Sequence, residues 1–375
     1  MKKLIQATLI LSGMIIGVGM FGIPFSFFHA GFWLGVFELC VLTGIVLFLH
    51  LIYGEIVLST EGYHRMPGYV KMYLGSGPAC VSWCSAFFGI SGALLVYIVL
   101  GSIFLNKISS VLWSGSNEFF WATAIAVFGA FIIFFPEKKT LAFNGILTVA
   151  LIGFIIFLVI FLLPHVELKN LSGFSLKNIF IPYGVLLFAL SGGVVVPDMI
   201  SFLGKNRSLA RRAIFFGTLI PALLYLFFSV AVVGVSGPAV SEEGIRGLTP
   251  YVGEYAVLIG SFIGFLAAFT SFIALGASFE ELMRLDFNLP RLYSWAGVSI
   301  VPFLLYLLKF QNFIVIMGIV GAVAVGIDSA LLVASYHAMR KKQGVKIQWH
   351  SRIWKYALYV IISGGVLYQF FYLIP

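Results

Sequence analysis

The stretch Leu11-Ser-Gly-Met-Ile-Ile-Gly-Val-Gly-Met-Phe-Gly-Ile-Pro24 lies in the middle of the first apolar segment of the chain. It contains five residues that weaken a helix, namely Gly13, Gly17, Gly19, Gly22 and Pro24. Glycine lowers helix stability by about 1 kcal/mol per site relative to alanine, and proline costs more unless it opens a new helix. Close packing through small residues explains a pair at i and i+4 but does not require the whole run. The sequence therefore predicts a true break in the first helix.

The amino-acid composition indicates that the chain lies in a lipid bilayer. Of 375 residues, 61% are hydrophobic and 10% are charged, whereas a soluble domain carries about a quarter charged residues. Apolar runs such as 141–164 and 214–234 reach the roughly 20 residues that a helix needs to cross a hydrocarbon core. The stretch after Met1–Gln6 has no small-residue cleavage site, so the first helix is predicted to stay in the protein. The fold class predicted is an all-α polytopic membrane protein.

Breaks at Gly, Pro and charge clusters divide the chain into eleven predicted transmembrane helices, near residues 6–29, 32–57, 80–105, 118–135, 141–163, 178–202, 211–234, 251–279, 293–308, 312–337 and 354–373. With a cytoplasmic N-terminus, 18 of the 23 Lys and Arg residues fall in inside segments. This is the asymmetry of the positive-inside rule. The net charge of +9 thus reflects topology and predicts no nucleic-acid partner. We predict a protein of the cytoplasmic (inner) membrane.

The sixth predicted helix repeats the interruption of the first. It reads Phe188-Ala-Leu-Ser-Gly-Gly-Val-Val-Val-Pro197-Asp198, with Gly192 and Gly193 in mid-span. Two repeats of five helices have opposite orientations because five is odd, and matched Gly/Pro-interrupted segments indicate a transporter's midplane site. The predicted domains are a first five-helix repeat at 1–163, an inverted repeat at 178–337 and an additional C-terminal helix at 354–373.

An unwound turn exposes N–H and C=O groups where there is almost no water. The N-terminal ends of half-helices are partly positive and suit a carboxylate, and freed carbonyls suit an ammonium group or a cation. A zwitterion of amino-acid type satisfies both ends. The predicted substrate contacts in the two breaks are Gly17, Val18, Gly19, Met20, Ser191, Gly192 and Gly193.

Four stretches occur in an order that resembles a known family. They are Gly13–Pro24, the segment from Glu55 to Gly75 with His64-Arg-Met-Pro-Gly-Tyr, the Ser191-Gly-Gly break, and Thr270-Ser-Phe-Ile-Ala-Leu-Gly. Nearly the whole chain resembles the amino acid–polyamine–organocation superfamily with its LeuT-type five-plus-five fold, in particular the amino acid/auxin permease and aromatic amino acid permease branch. The resemblance implies cation-coupled carriage of a neutral, aromatic or branched amino acid by alternating access. Tyr97, Phe188 and Phe272 are predicted pocket walls.

The eighth predicted helix, near residues 251–279, contains the residues that predict a coupling ion. Ala267, Thr270 and Ser271 fall at i, i+3 and i+4 and present a carbonyl and two hydroxyls on one face. The pattern is similar to the family's second sodium site, whose helix 1 carbonyls carry over onto Gly13 and Ile16. The alternative is that these hydroxyls bond their own helix. Met20 replaces the Asn of the first sodium site in neurotransmitter-type relatives, so a second sodium is not expected.

Proton coupling remains the competing prediction. Its signature is an intramembrane group that changes charge. The candidates for proton carriage or gating are Glu38, Glu55, Asp198 and Asp328, with His50 on helix 2 as a further proton candidate. Helix 5 offers no mid-span lysine to replace a sodium ion, which slightly favours sodium.

Other functions are compatible with the same composition. An uncoupled exchanger, a channel or a sensor would retain this fold. A membrane-embedded transferase needs clustered acids, His or a nucleophile, and the His residues here are scattered over different loops. The sequence therefore predicts that the protein is not an enzyme and has no cofactor other than Na⁺ as a candidate coupling ion. The predicted partners are a small amino acid, Na⁺ or H⁺, and the lipid bilayer.

Overall fold

The computed structural model describes residues 2–111, 113, 115–134, 140–287, 289–344 and 364–365. Within these ranges the chain folds into helices joined by short turns. The α-helices are α1 (Lys2–Ile15), α2 (Ile23–Ala30), α3 (Phe32–Ser59), α4 (Met66–Leu74), α5 (Ser76–Ser109), α6 (Glu118–Phe134), α7 (Thr140–Leu162), α8 (Ile181–Leu190), α9 (Val196–Phe202), α10 (Arg207–Ser236), α11 (Thr249–Phe287), α12 (Arg291–Leu307), α13 (Phe313–Ile319) and α14 (Gly326–Lys342).

Shorter helical turns connect or interrupt these helices. The 3₁₀ turns are Val18–Gly22, Leu163–His165, Leu168–Leu171, Leu176–Asn178, Gly193–Val195, Gly237–Ala239 and Arg246–Leu248. A π-helical segment, Val320–Val325, joins α13 to α14. Gly253 adopts non-helical angles and kinks the start of α11.

Ten of the predicted spans have a counterpart among the described residues. Seven helical segments there are long and apolar enough to cross a bilayer, and α1 with α2 makes an eighth that is bent by 49°. The helices α6 and α12 are apolar and 17 residues long. The predicted eleventh helix, 354–373, lies outside the described residues apart from Gly364 and Gly365. The count of eleven and the division into inverted repeats stay predictions.

One helix was missed by the sequence analysis. Residues 66–74 form α4, a helix too short to span a membrane, within the segment that links α3 to α5. Its ends carry ordinary signals, because Pro67 stands in the first turn and Gly75 follows the last residue with a φ of 91°. A search for membrane-length runs passes over such a helix.

The helix α5 lies at the centre of the bundle. Every residue from Ser91 to Ser102 is buried, so this helix contacts protein on all sides. It packs along α11, while α1 packs against α10. The outer surface instead carries large apolar side chains such as Trp33, Phe128 and Phe157, each more than 60% exposed. A buried helix core and an apolar outer surface are the arrangement that a lipid environment permits.

Backbone-to-backbone contact joins α8 to the π-helical segment. A Cβ placed on Gly321 would lie 1.9 Å from the carbonyl oxygen of Gly184, and one placed on Gly184 would lie 2.3 Å from that of Gly318. Small residues let membrane helices approach this closely. The contact fixes α8 directly beside α13 and the π-helical segment.

We expect Gly321→Ala to destabilise the protein because the new methyl group meets rigid backbone, and overpacking costs about 1–3 kcal/mol. The measurement is thermal unfolding in detergent, followed by size-exclusion chromatography. Gly44→Ala in α3 is the control, since a Cβ there meets nothing within 4 Å. Equal stability of the two variants would contradict the close approach.

Candidate substrate and cation site

The first break separates α1 from α2. The Ile16 N–H still donates to Ser12 at 2.7 Å, but the Gly17 N–H turns back to the Ile15 carbonyl at 2.8 Å. The Gly13 carbonyl therefore loses the i+4 donor that a continuous helix would supply. Gly17 is extended, and the chain resumes as a 3₁₀ turn at Val18. The break predicted from the glycine run is present.

The second break separates α8 from α9 and lies against the first. Ser191 is extended after the end of α8, and the 3₁₀ turn begins at Gly193. A Cβ on Gly19 would lie 2.9 Å from the Cα of Ala189, and one on Gly192 would lie 2.5 Å from Ile15. Glycine at both positions lets the two unwound segments touch.

Tyr225 on α10 ties the two breaks together. Its hydroxyl donates to the Ile15 carbonyl at 2.5 Å and lies 3.1 Å from the Ala189 carbonyl. Tyr225 is fully buried, and a buried tyrosine hydroxyl usually finds a partner. The sequence analysis missed this residue. Its only signal was a tyrosine in the middle of an otherwise apolar span.

A cavity of about 210 Å³ lies where the breaks meet α3, α5 and α14. Eight of the predicted candidates line it, namely Gly17, Gly19, His50, Tyr97, Phe188, Ser191, Gly193 and Asp328. The lining does not include Val18, Met20, Gly192 or Phe272. The Phe272 ring instead meets Gly129 of α6. The roles assigned to these residues stay predictions.

Histidine 50 is a cavity residue on α3. Its Nδ1 lies 3.0 Å from the Thr218 hydroxyl of α10, and its Nε2 faces the second break, 3.8 Å from the Cβ position of Gly193. The bond to Thr218 orients the ring. His50 thus presents one nitrogen to the cavity beside the unwound segment.

Hydroxyl groups gather beside the first break from two other helices. The Ser271 Oγ of α11 lies 3.8 Å from the Cβ position of Gly17, and the Thr148 Oγ1 of α7 lies 3.0 Å from that of Gly13. Thr270 donates its proton within α11, to Leu266 at 2.8 Å, which leaves its oxygen lone pairs available. The sequence analysis missed Thr148, because a single threonine in α7 has no pattern that links it to α1.

This donor set fits a monovalent cation. The oxygens are hydroxyls and carbonyls without formal charge, and hard cations prefer oxygen ligands. Among the described residues no group of three His, Cys, Asp or Glu could hold a metal ion. The Ser271 hydroxyl lies beside the first break, and the assignment of Gly13, Ile16, Ala267, Thr270 and Ser271 to a Na⁺ site stays a prediction.

The acidic candidates have different surroundings. Glu55 pairs with Arg207 at 2.9 Å and Arg211 at 3.4 Å, both on α10. Glu38 interacts electrostatically with Tyr183 of α8 and is absent from the cavity lining. Asp328 lines the cavity. Of these three carboxyl groups, only that of Asp328 faces the cavity.

Asp198 belongs to a group that we call the Arg65 latch, formed by Tyr63, Arg65, Asp198 and Glu281. Arg65 donates from Nη1 to Asp198 at 2.8 Å and from Nη2 to Glu281 at 3.2 Å. Tyr63 donates to the other Asp198 oxygen, and its ring lies 5.3 Å from the guanidinium. Burial lowers the pKa of Arg65, but the charges of Asp198, Tyr63 and Glu281 together with the hydrogen bond to Asp198 outweigh burial, and the net shift of the pKa is upward. The charged latch joins α9 to α11 at one end of the cavity.

Aromatic rings pack beyond the Tyr97 end of the cavity. Phe21 packs edge-on against Phe104 and Phe228, with ring centroids 5.1 and 6.1 Å apart. All three rings are about 1% exposed, and none of them lines the cavity. Phe104 follows Tyr97 by seven residues on α5, which places it about 10 Å farther along the helix axis. The rings thus lie on the side of Tyr97 that is away from the latch.

Two interrupted spans around one cavity define a LeuT-fold membrane transporter, and solved structures share this fold. MhsT in complex with L-phenylalanine superimposes with a TM-score of 0.66 at 14% identity, covering 98% of each chain. The nucleobase-cation-symport-1 family transporter MHP1 also gives 0.66, at 13% identity, covering 98% of this chain and 91% of that one.

The chain belongs to the tryptophan/tyrosine permease family, whose sequence profile it matches over residues 1–371. Glutamine transporter 2 of Aliivibrio fischeri is 21% identical over 379 residues, covering 97% of this chain and 98% of that protein. Tyrosine-specific transport system 2 of Haemophilus influenzae is 27% identical over 250 residues, covering 62% and 59%. The protein is an integral membrane amino acid permease and not an enzyme, which confirms the resemblance seen in the sequence.

We expect Tyr225→Phe to lower stability, because it removes the buried hydroxyl that donates to the Ile15 carbonyl and lies beside the Ala189 carbonyl. Loss of one such hydrogen bond costs about 0.5–1.5 kcal/mol. Thermal unfolding in detergent measures the loss. Tyr255→Phe is the control, since that side chain is 85% exposed. If Tyr225→Phe unfolds at the wild-type temperature, the hydroxyl does not hold the breaks together.

Proposed function

We propose that the protein carries a neutral, preferably aromatic amino acid across the cytoplasmic membrane by alternating access, in symport with Na⁺. The observation that supports this most strongly is the cavity between the two unwound segments. Backbone groups freed from helical bonding line it together with the Tyr97 hydroxyl. Such a site can bind the charged ends of a zwitterion in a medium that excludes water.

The substrate's charged ends would bind the two breaks. Gly17 and Gly19 of the first break line the cavity, and N–H groups at the start of a helical turn favour a carboxylate. The turn around Ser191 and Gly193 supplies polar backbone for the ammonium group. Tyr97 lies at the same level and can donate to the carboxylate.

The substrate side chain would lie against an apolar wall. Phe188 borders the cavity with Val46, Ile90, Leu275 and Val320. Flat and branched apolar side chains gain most from such a surface. Relatives named as tyrosine, tryptophan and glutamine transporters agree with a neutral substrate.

Coupling would arise because Na⁺ bridges two parts that move. Its proposed ligands come from α1 and from α11, so an occupied site holds the first break against the scaffold. The moving bundle would comprise α1 with α2, α3, α8 with α9, and α10. The Arg65 latch spans the same division, since Asp198 is on α9 and Glu281 is on α11. We place the N-terminus and the latch at the cytoplasmic side, as the distribution of basic residues favours.

The test is uptake of labelled tryptophan, tyrosine, phenylalanine, leucine and glutamine into proteoliposomes under an imposed Na⁺ or pH gradient. We expect accumulation driven by Na⁺ with an aromatic preference. Ser271→Ala should lower Na⁺-driven uptake at least tenfold at limiting Na⁺, because it removes a ligand that no backbone group replaces. Ser299→Ala on α12 is the control, a buried serine outside the cavity.

Each alternative gives a distinct result. Uptake driven only by the pH gradient would contradict sodium coupling and indicate proton coupling. Exchange of internal for external substrate without accumulation under either gradient would identify an uncoupled exchanger. Absence of binding and of flux for every amino acid in the panel would contradict the substrate class.

A further inference from the structure

The cavity is longer than one amino acid. Its lining reaches from Tyr97 to Ser85 on α5 and continues to Arg65 at the latch. Twelve residues separate Tyr97 from Ser85, which corresponds to about 18 Å along the helix. A free amino acid extends on the order of 10 Å, given bond lengths near 1.5 Å. A substrate held between the breaks therefore leaves the latch-side half of the cavity unfilled.

Asp328 on α14 faces this latch-side half. Ser85 is within hydrogen-bonding reach of its carboxyl group, although Ser85 also donates to the Ala324 carbonyl at 3.1 Å. The Asp328 Oδ1 is buried and has no hydrogen-bond partner among the described residues. A carboxylate in the membrane interior is costly unless a cation or donors satisfy it. Asp328 thus brings to the cavity lining a carboxyl group with one oxygen that no described residue satisfies.

Arg65 provides an unsatisfied donor in the same cavity. Its two terminal nitrogens bind Val194, Asp198 and Glu281. Its Nε, in contrast, is buried without a partner in the described part of the chain. The side chain is 7% exposed and lines the cavity. The guanidinium therefore retains one N–H that a carboxylate can accept from.

The packing of α14 brings these two groups to the same end of the bundle. α14 packs against α4, which begins immediately after Arg65, and against α5, which carries Ser85. Met66, Pro67 and Leu332 complete the apolar lining around them. An acceptor and a donor set in an apolar pocket match the two ends of a zwitterion.

We propose that the latch-side half of the cavity is a second binding station for the transported amino acid, with Asp328 binding its ammonium group and Arg65 Nε binding its carboxylate. This proposal rests on the proposed function. A carboxylate on Arg65 competes with Asp198 and Glu281 for the same guanidinium. Arrival of the substrate at this station therefore weakens the latch and favours opening toward the cytoplasm.

The experiment is equilibrium binding of the transported panel amino acid to purified protein, with the number of bound molecules counted at saturation. We expect two molecules for the wild type and one for Asp328→Asn. The matched control is Glu38→Gln, which removes another intramembrane carboxyl group that the cavity does not include. This control should still bind two molecules.

A second variant keeps the test valid if Asp328→Asn does not fold. Asp328→Glu retains the charge but displaces it by one methylene group, so we expect one of the two affinities to fall about tenfold while the other is unchanged. Unchanged affinities at both sites would overturn the proposal.

Two other results would overturn the station, namely one bound molecule in the wild type or two bound molecules in Asp328→Asn. If the second result comes with loss of pH-driven accumulation, Asp328 is a proton carrier. The number of molecules bound to the wild type distinguishes a failure of this inference from a failure of the proposed function. One bound molecule refutes only the second station, whereas no bound molecule refutes amino acid binding itself.

Discussion

Unwound backbone inside a membrane must find partners, because no water is available to satisfy it. This constraint organises the structure. The breaks after Ile15 and Leu190 expose peptide groups, and the protein satisfies some of them by placing the two breaks against each other and by donating the Tyr225 hydroxyl to their carbonyls. Residues of both unwound segments, among them Gly17, Gly19, Ser191 and Gly193, line the cavity, where a ligand can contact them.

Close packing around the breaks depends on positions that have no side chain. Gly19 meets Ala189, Gly192 meets Ile15, and Gly321 meets Gly184. These contacts leave little freedom for the half-helices to shift separately. By the proposed division, the Arg65 latch and the Ser271 hydroxyl beside Gly17 are polar contacts between the moving bundle and the remaining helices. The dry contact between Gly184 of α8 and Gly321 also crosses this division, so the proposed movement has to shift α8 along the π-helical segment.

The two charged features of the cavity differ in how fully they are satisfied. Arg65 is balanced by Asp198 and Glu281 and keeps the latch closed. Asp328 has a serine within reach and no ion partner among the described residues. A charge-balanced ion pair stabilises one conformation, whereas an unsatisfied group gains free energy only when something binds to it. The Arg65 Nε and the Asp328 Oδ1 are two such unsatisfied groups among the described residues.

The sequence by itself determined the membrane environment and the all-α fold class. It also determined both breaks and most of the ten spans found, because the length of apolar runs and the positions of Gly and Pro are local properties. It also indicated Gly17, Gly193, Tyr97 and Phe188, which the structure brings to one cavity. Tertiary structure decided the rest. Tyr225, Thr148 and Arg65 act on segments far away in the chain, and Phe272 turns to Gly129 instead of the cavity. Such pairings depend on the rotation and packing of whole helices, which no spacing within one helix specifies.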